Sequence, residues 1–177
     1  MVENLYCEIL DNETGLVQVG VGCPEEYYQE IGMQKRNVEQ SEKDFQWYLE
    51  GKCPHFTLEE TKQIKYEEAL MGAKEFIEYQ AVYQFDNNNS IEATDGNIGK
   101  MTAYALAFQT GTLDKVYWTS KEDNVLELDA NDVLDILTGL GEIQSAIWNV
   151  KFVAYKNAIN NASTIQEVQQ IVINYAV

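Results

Sequence analysis

Three times along this chain a pair of short β-forming runs is joined by a turn-forming stretch, and this repetition of hairpin signals most limits what the chain can fold into. Runs 5–10 and 16–21 flank Asp11-Asn12-Glu13-Thr14-Gly15, runs 81–85 and 90–93 flank Asp86-Asn87-Asn88-Asn89, and runs 116–119 and 125–128 flank Lys121-Glu122-Asp123-Asn124. Asn, Asp and Gly tolerate positive φ and bond their own backbone, so such stretches reverse the chain at little cost. Strands joined this closely must pair antiparallel, which excludes a parallel βαβ arrangement.

Helical patterns lie between the hairpins. Thr57-Leu58-Glu59-Glu60 fits a capping box and predicts a helix over 58–80, whose apolar positions form a broken stripe among many charges. Asp95 is placed to cap a helix running to Gln109, with Gly111 as its stop. Asp129 or Asn131 opens a long pattern in which Val133, Leu134, Leu137, Leu140, Ile143, Ala146, Ile147 and Val150 recur near the helical period. Gly139 and Gly141 are expected to kink or break that helix, and Ser163-Thr164-Ile165-Gln166 to cap a last one. Between residues 23 and 55 periodicity is poor: Pro24 opens a short helix at Tyr27 and Tyr28, and a second short element holds Phe45, Trp47, Tyr48 and Leu49. The expected fold is α+β, with antiparallel hairpins, a long connecting helix and a C-terminal helical segment. Its parts are an N-terminal hairpin with an irregular aromatic-rich region (1–56), the connecting helix (57–80) and a C-terminal α+β domain (81–177).

Composition removes functions more than it selects one. The chain has 177 residues, and 12 Lys and Arg against 29 Asp and Glu leave a net charge of −17. A charge of that sign repels nucleic acid and anionic membranes, so direct binding to either is not expected. No run approaches the length of a membrane span, no basic leader is visible, and synthesis in the cytosol follows as an expectation.

The chemistry-bearing residues are sparse. His55 is the single histidine, so a site with two or three imidazoles from one chain is excluded. Cys7, Cys23 and Cys53 are odd in number and lack a Cys-x-x-Cys pair, so neither a disulfide framework nor a zinc-ribbon spacing is present; free buried thiols and no metal are expected. Cys53 and His55 point to one side if their segment is extended, a spacing open to a nucleophile and base, but simple packing is the expected role. The pairs Gly20-Val21-Gly22 and Gly139-Leu140-Gly141 lack the third glycine of a nucleotide loop. Asp129-Ala130-Asn131-Asp132 has apolar residues where a calcium loop needs glycine and glutamate, leaving helix capping as its role. No cofactor and no enzymatic activity are expected. The aromatic cluster Tyr27, Tyr28, Trp47 and Tyr48 is the best candidate for a partner-binding surface, because amphipathic rings in irregular segments anchor protein interfaces.

The second half carries a resemblance. Val116-Tyr117-Trp118, the run Glu122 to Asp132, Ala158-Ile159, Ala162-Ser163-Thr164 and Glu167-Val168 resemble the phage domain-of-unknown-function family 4376, whose members occur in tail-fibre and other tail-associated proteins of phages and prophages. The resemblance covers residues 73–177 and departs from the family pattern at Gln166-Glu167 and over 76–80, where basic residues are missing. It implies a non-enzymatic tail-associated structural protein of baseplate or fibre, acting as an oligomer through contacts with other tail or fibre proteins. Such a protein resides in the host cytoplasm during assembly and then in the virion tail. Two alternatives stand beside it: a tail-fibre assembly chaperone, and an acidic phage-encoded inhibitor of a host defence nuclease. The family has no established catalytic residues to carry over. Trp118, Asp123, Asn124, Asp129 and Thr164 are expected to serve as turn, cap and packing positions.

Overall fold

The computed structural model describes residues 1–176 and is α+β, with antiparallel strand pairs, a long helix and a C-terminal helical segment. The chain divides into two compact units, 1–57 and 58–177.

In the first unit β1 (Val2–Ile9) and β2 (Leu16–Val19) form the expected hairpin, followed by the short helix α1 (Glu25–Glu30), β3 (Gln34–Gln40) and β4 (Trp47–Leu49). β1 pairs with β2 and β3, and β4 closes the ring by pairing with both, giving a four-stranded antiparallel barrel. Closure satisfies the backbone groups that an edge strand would leave open. β3 is the element that hydrophobic pattern does not reveal. Its sequence, Gln-Lys-Arg-Asn-Val-Glu-Gln, has one apolar residue, Val38, which is fully buried. The strand exists because six successive residues pair with β1 from Cys7↔Gln34 to Val2↔Glu39. The barrel core is Cys7, Val17 and Val38, with Leu5, Ile9, Val19, Trp47 and Leu49 packed around it.

The second unit begins with α2 (Leu58–Tyr79), which buries Ala69, Ala73 and Ile77 along one stripe. The helix read as a connector is thus packed into this unit. The C-terminal residues return to it: the Tyr175 hydroxyl donates to the Ala69 carbonyl at 2.8 Å, and the Lys151 ammonium donates to the carbonyls of Tyr175 and Ala176 at 2.9 and 2.8 Å. Desolvation pushes the Tyr175 phenol up to about 12, as befits a ring that is 4 % exposed. β5 (Val82–Gln84) and β6 (Ser90–Glu92) form one hairpin, β7 (Val116–Thr119) and β8 (Val125–Leu128) another, with α3 (Asp95–Gln109) between them. α4 (Ala130–Ser145) follows, then a π-helical stretch (Ala146–Phe152), α5 (Val153–Asn161) and α6 (Ile165–Gln169). The main core gathers Ile91, Met101, Leu128, Val133, Ile136 and Leu140 from the two hairpins, α3 and α4.

The helix caps fall at or within one residue of the expected positions. Thr94, not Asp95, caps α3, its hydroxyl accepting from the Asn97 N–H at 3.2 Å, and Asp95 is the first helical residue. Asp129 caps α4 in a capping box closed by Asp132. Thr164, one of the two expected caps, opens α6 in a capping box closed by Glu167 rather than Gln166. Gly139 and Gly141 do not break α4. A Cβ at Gly139 would lie 2.2 Å from the Tyr83 ring, so this glycine admits the β5 side chain against the helix. The irregular turn comes later, at 146–152, where Trp148 and Phe152 meet edge to face at 5.5 Å and Phe152 reaches Tyr66 of α2 at 5.5 Å.

Candidate functional site

The four aromatic residues singled out as a contact surface do not form one. Tyr28 is 7 % exposed: its ring fills the space beside Gly20, stacks on Tyr6 at 5.7 Å, and its hydroxyl accepts the Cys23 N–H at 2.8 Å. Tyr48 is 9 % exposed and its hydroxyl donates to Asp44 at 2.7 Å, which raises the phenol above its ordinary value and lowers the carboxyl. Trp47 is half-buried and packs on the barrel core from the opposite face of β4. Tyr27 alone stays open, at 49 % exposure. The burial is local: Tyr28 is covered by Tyr6 and Gly20 and Tyr48 is tied to Asp44, and neither belongs to the barrel core of Cys7, Val17 and Val38.

The aromatic the barrel does present is Phe45. It is 76 % exposed and sits in the β3–β4 turn at φ 60, a left-handed conformation uncommon for a bulky side chain. The Phe45 N–H donates to the Ser41 carbonyl at 3.0 Å, and the Gln40 amide donates to the Phe45 carbonyl at 2.9 Å, which holds the turn. Phe45, expected from sequence within the same short element as Trp47, Tyr48 and Leu49, lies outside β4 because its left-handed backbone belongs to the turn before the strand.

The second unit presents an apolar groove between α3 and the start of α4. Thr102, Ala105, Leu106, Phe108, Gln109, Ala130 and Leu134 line it, none of them charged, and Leu106 and Leu134 are 61 % and 54 % exposed. Leu134 belongs to the helical stripe read from sequence, but on its outer edge. A second built feature joins the hairpin turns of this unit. The Ser90 N–H donates to Glu122 at 2.8 Å and the Ser90 hydroxyl donates to the other carboxylate oxygen. Asn89 accepts from the Asn124 amide at 2.9 Å and donates to Asp86 at 2.8 Å. The Ser90 donors hold the Glu122 carboxyl down at about 2. Glu122, Asp123 and Asn124 thus work as turn and bracing residues, Asp123 at φ 63, and Trp118 packs edge-on against Tyr104 at 6.4 Å.

Of the cysteines, Cys7 and Cys53 are buried and Cys23 is exposed, the last against expectation. Burial raises both buried thiols above the ordinary range, which makes Cys53 a poor nucleophile at neutral pH. Cys53 and His55 do come together, and the polar strand β3 adds a third donor: ligand atoms of Glu39, Cys53 and His55 all lie within 4.8 Å of one another. Glu39 had no sequence signal, because nothing marked its strand. Among the described residues no helix is long and apolar enough to cross a membrane. No known protein family, characterised protein or solved structure matches the chain.

Proposed function

We propose that this chain is a non-enzymatic, tail-associated structural protein of a phage or prophage, held in its assembly by apolar protein–protein contacts. The observation that carries the contact reading is the uncharged groove between α3 and α4, where two leucines more than half exposed flank Phe108 on an otherwise strongly acidic molecule. Leaving such side chains in water is unfavourable, and a partner's apolar row would recover that free energy. The phage tail part of the reading rests on the motif resemblance in residues 73–177, which includes the braced Glu122-Asp123-Asn124 turn and the Thr164 cap.

The groove's occupant in this reading is an apolar segment of a neighbouring tail or fibre protein, and the contact is therefore insensitive to salt. The test is to purify particles of the encoding phage carrying wild type or the double variant Leu106→Asp, Leu134→Asp. Wild type is expected in tail fractions in a fixed ratio to the other tail proteins. The variant, with unchanged circular dichroism, should be depleted at least about ten-fold, since two charges are placed in an apolar contact. Presence in fibre-containing lysate complexes but absence from particles replaces the reading with the assembly chaperone. Tight, salt-sensitive, nucleic-acid-competitive binding to a host nuclease replaces it with the inhibitor.

A further inference from the structure

We propose that Glu39, Cys53 and His55 bind a thiophilic divalent transition-metal ion of the Zn²⁺ class, which clips the last residues of the first unit onto strand β3. The site is built by two features. In β3, Val38 points into the barrel, so its neighbour Glu39 points out. The segment after β4 is then tied alongside: Ser41, 1 % exposed, donates its hydroxyl to the Pro54 carbonyl at 3.2 Å and accepts the Lys43 N–H at 3.1 Å. Residues 53 and 55, on either side of that anchored carbonyl, carry their side chains to Glu39. The Glu39 carboxylate is 4.0 Å from His55 Nε2, and all three donors fall within 4.8 Å.

The donor chemistry selects the ion. A thiolate and a carboxylate with a neutral imidazole sum to two negative charges, which a divalent cation neutralises. Thiolate and imidazole together favour zinc-like ions over calcium or magnesium, whose ligands are oxygen. Cys53 is 8 % exposed with its thiol against the Pro54 carbonyl at 4.0 Å, and the ammonium of the adjacent Lys52 is spent on the carbonyls of Asn12 and Glu13 at 2.6 and 3.2 Å. Binding forms the metal–sulfur bond and releases the thiol proton to solvent. Tetrahedral zinc needs donor atoms about 3.5 Å apart, so the set must contract by about 1 Å. The His55 side chain, 72 % exposed, is free to supply that movement. Its open side leaves the fourth coordination position to water.

This inference is independent of the tail assignment and is tested on the purified full chain with any affinity tag removed, titrated with Co²⁺. The expected result is one ion per chain with a thiolate-to-cobalt charge-transfer band that Zn²⁺ abolishes. His55→Ala and Glu39→Gln should each weaken binding at least about ten-fold, and Cys53→Ser should remove the band. His55→Ala alters an exposed side chain, so its circular dichroism should match wild type and its result stands even if Cys53→Ser unfolds. No charge-transfer band at one equivalent of Co²⁺, or wild-type affinity in His55→Ala and Glu39→Gln, overturns the site.

Discussion

The two units reach a folded state by different routes. The barrel of 1–57 has a core cluster of only three buried residues, Cys7, Val17 and Val38, with partly buried Leu5, Ile9, Val19, Trp47 and Leu49 around it, inside a closed circuit of backbone hydrogen bonds. The unit 58–177 buries a contiguous set of large aliphatic groups from two hairpins and two helices. A domain of about 60 residues buries a smaller fraction of its surface than one of twice that length, so the barrel depends more on pairing and turns, the larger unit more on apolar burial. The contrast also explains where surface remains for partners. The barrel unit covers Tyr28 and Tyr48, whereas the larger unit leaves Leu106 of α3 and Leu134 of α4 more than half exposed.

The comparison can be broken at its strongest point first. Leu140 is fully buried in the larger core, and Leu140→Ala should cost about 3–4 kcal/mol; Val38→Ala, the corresponding change in the barrel, should cost about 2 kcal/mol. Hydrogen exchange followed separately over 1–57 and 58–177 reads these losses, and equal costs would mean that the barrel relies on apolar burial as much as its larger neighbour.

Within the barrel, Phe45 in the β3–β4 turn and Trp47 at the start of β4 should behave in opposite ways. Trp47→Ala removes a half-buried wall of the core and should cost about 2 kcal/mol, so any loss of partner binding would be secondary to loss of fold. Phe45→Asn relieves a left-handed backbone at an exposed site and should raise stability by about 0.5–1 kcal/mol. Chemical denaturation monitored by circular dichroism measures both, and a destabilised Phe45→Asn would show that the Phe45 ring has a packing role.

The smallest effect sharpens the role of the braced turns in the larger unit. Glu122 is held at about 2, against an ordinary value of 4.5. A carboxyl whose folded value is depressed contributes stability above its unfolded value and loses it as pH falls through the folded one, here between about 4.5 and 2. Melting temperatures across that window should fall less steeply in Glu122→Gln than in wild type, and the difference should shrink as salt rises, because the group is exposed. Parallel curves would show that the Ser90 bonds do not persist in solution.

Legibility from sequence followed the range of the forces involved. The three hairpins, the 22-residue helix and the capping positions near 94, 129 and 164 are local: a turn residue or a cap acts within four positions, and the chain states it outright. Strand β3 is not local, since one apolar residue in seven gives no period and its partners in β1 lie 27 to 37 residues earlier in the chain. The burial of Tyr28 is likewise not local, since Tyr6, more than twenty residues earlier in the chain, stacks on its ring.

By itself, then, the sequence determined the α+β class, the antiparallel hairpins, the long helices and the acidic surface, all consequences of residue type and short spacing. Only the tertiary structure decided that the first hairpin closes into a barrel and that Gly139 opens a seat for Tyr83 rather than ending a helix. It alone decided that an uncharged groove lies between α3 and α4, and that Glu39 joins Cys53 and His55. The physical reason is common to all four: each depends on which distant surfaces meet, and that is set by the burial of the whole chain rather than by the preference of any segment.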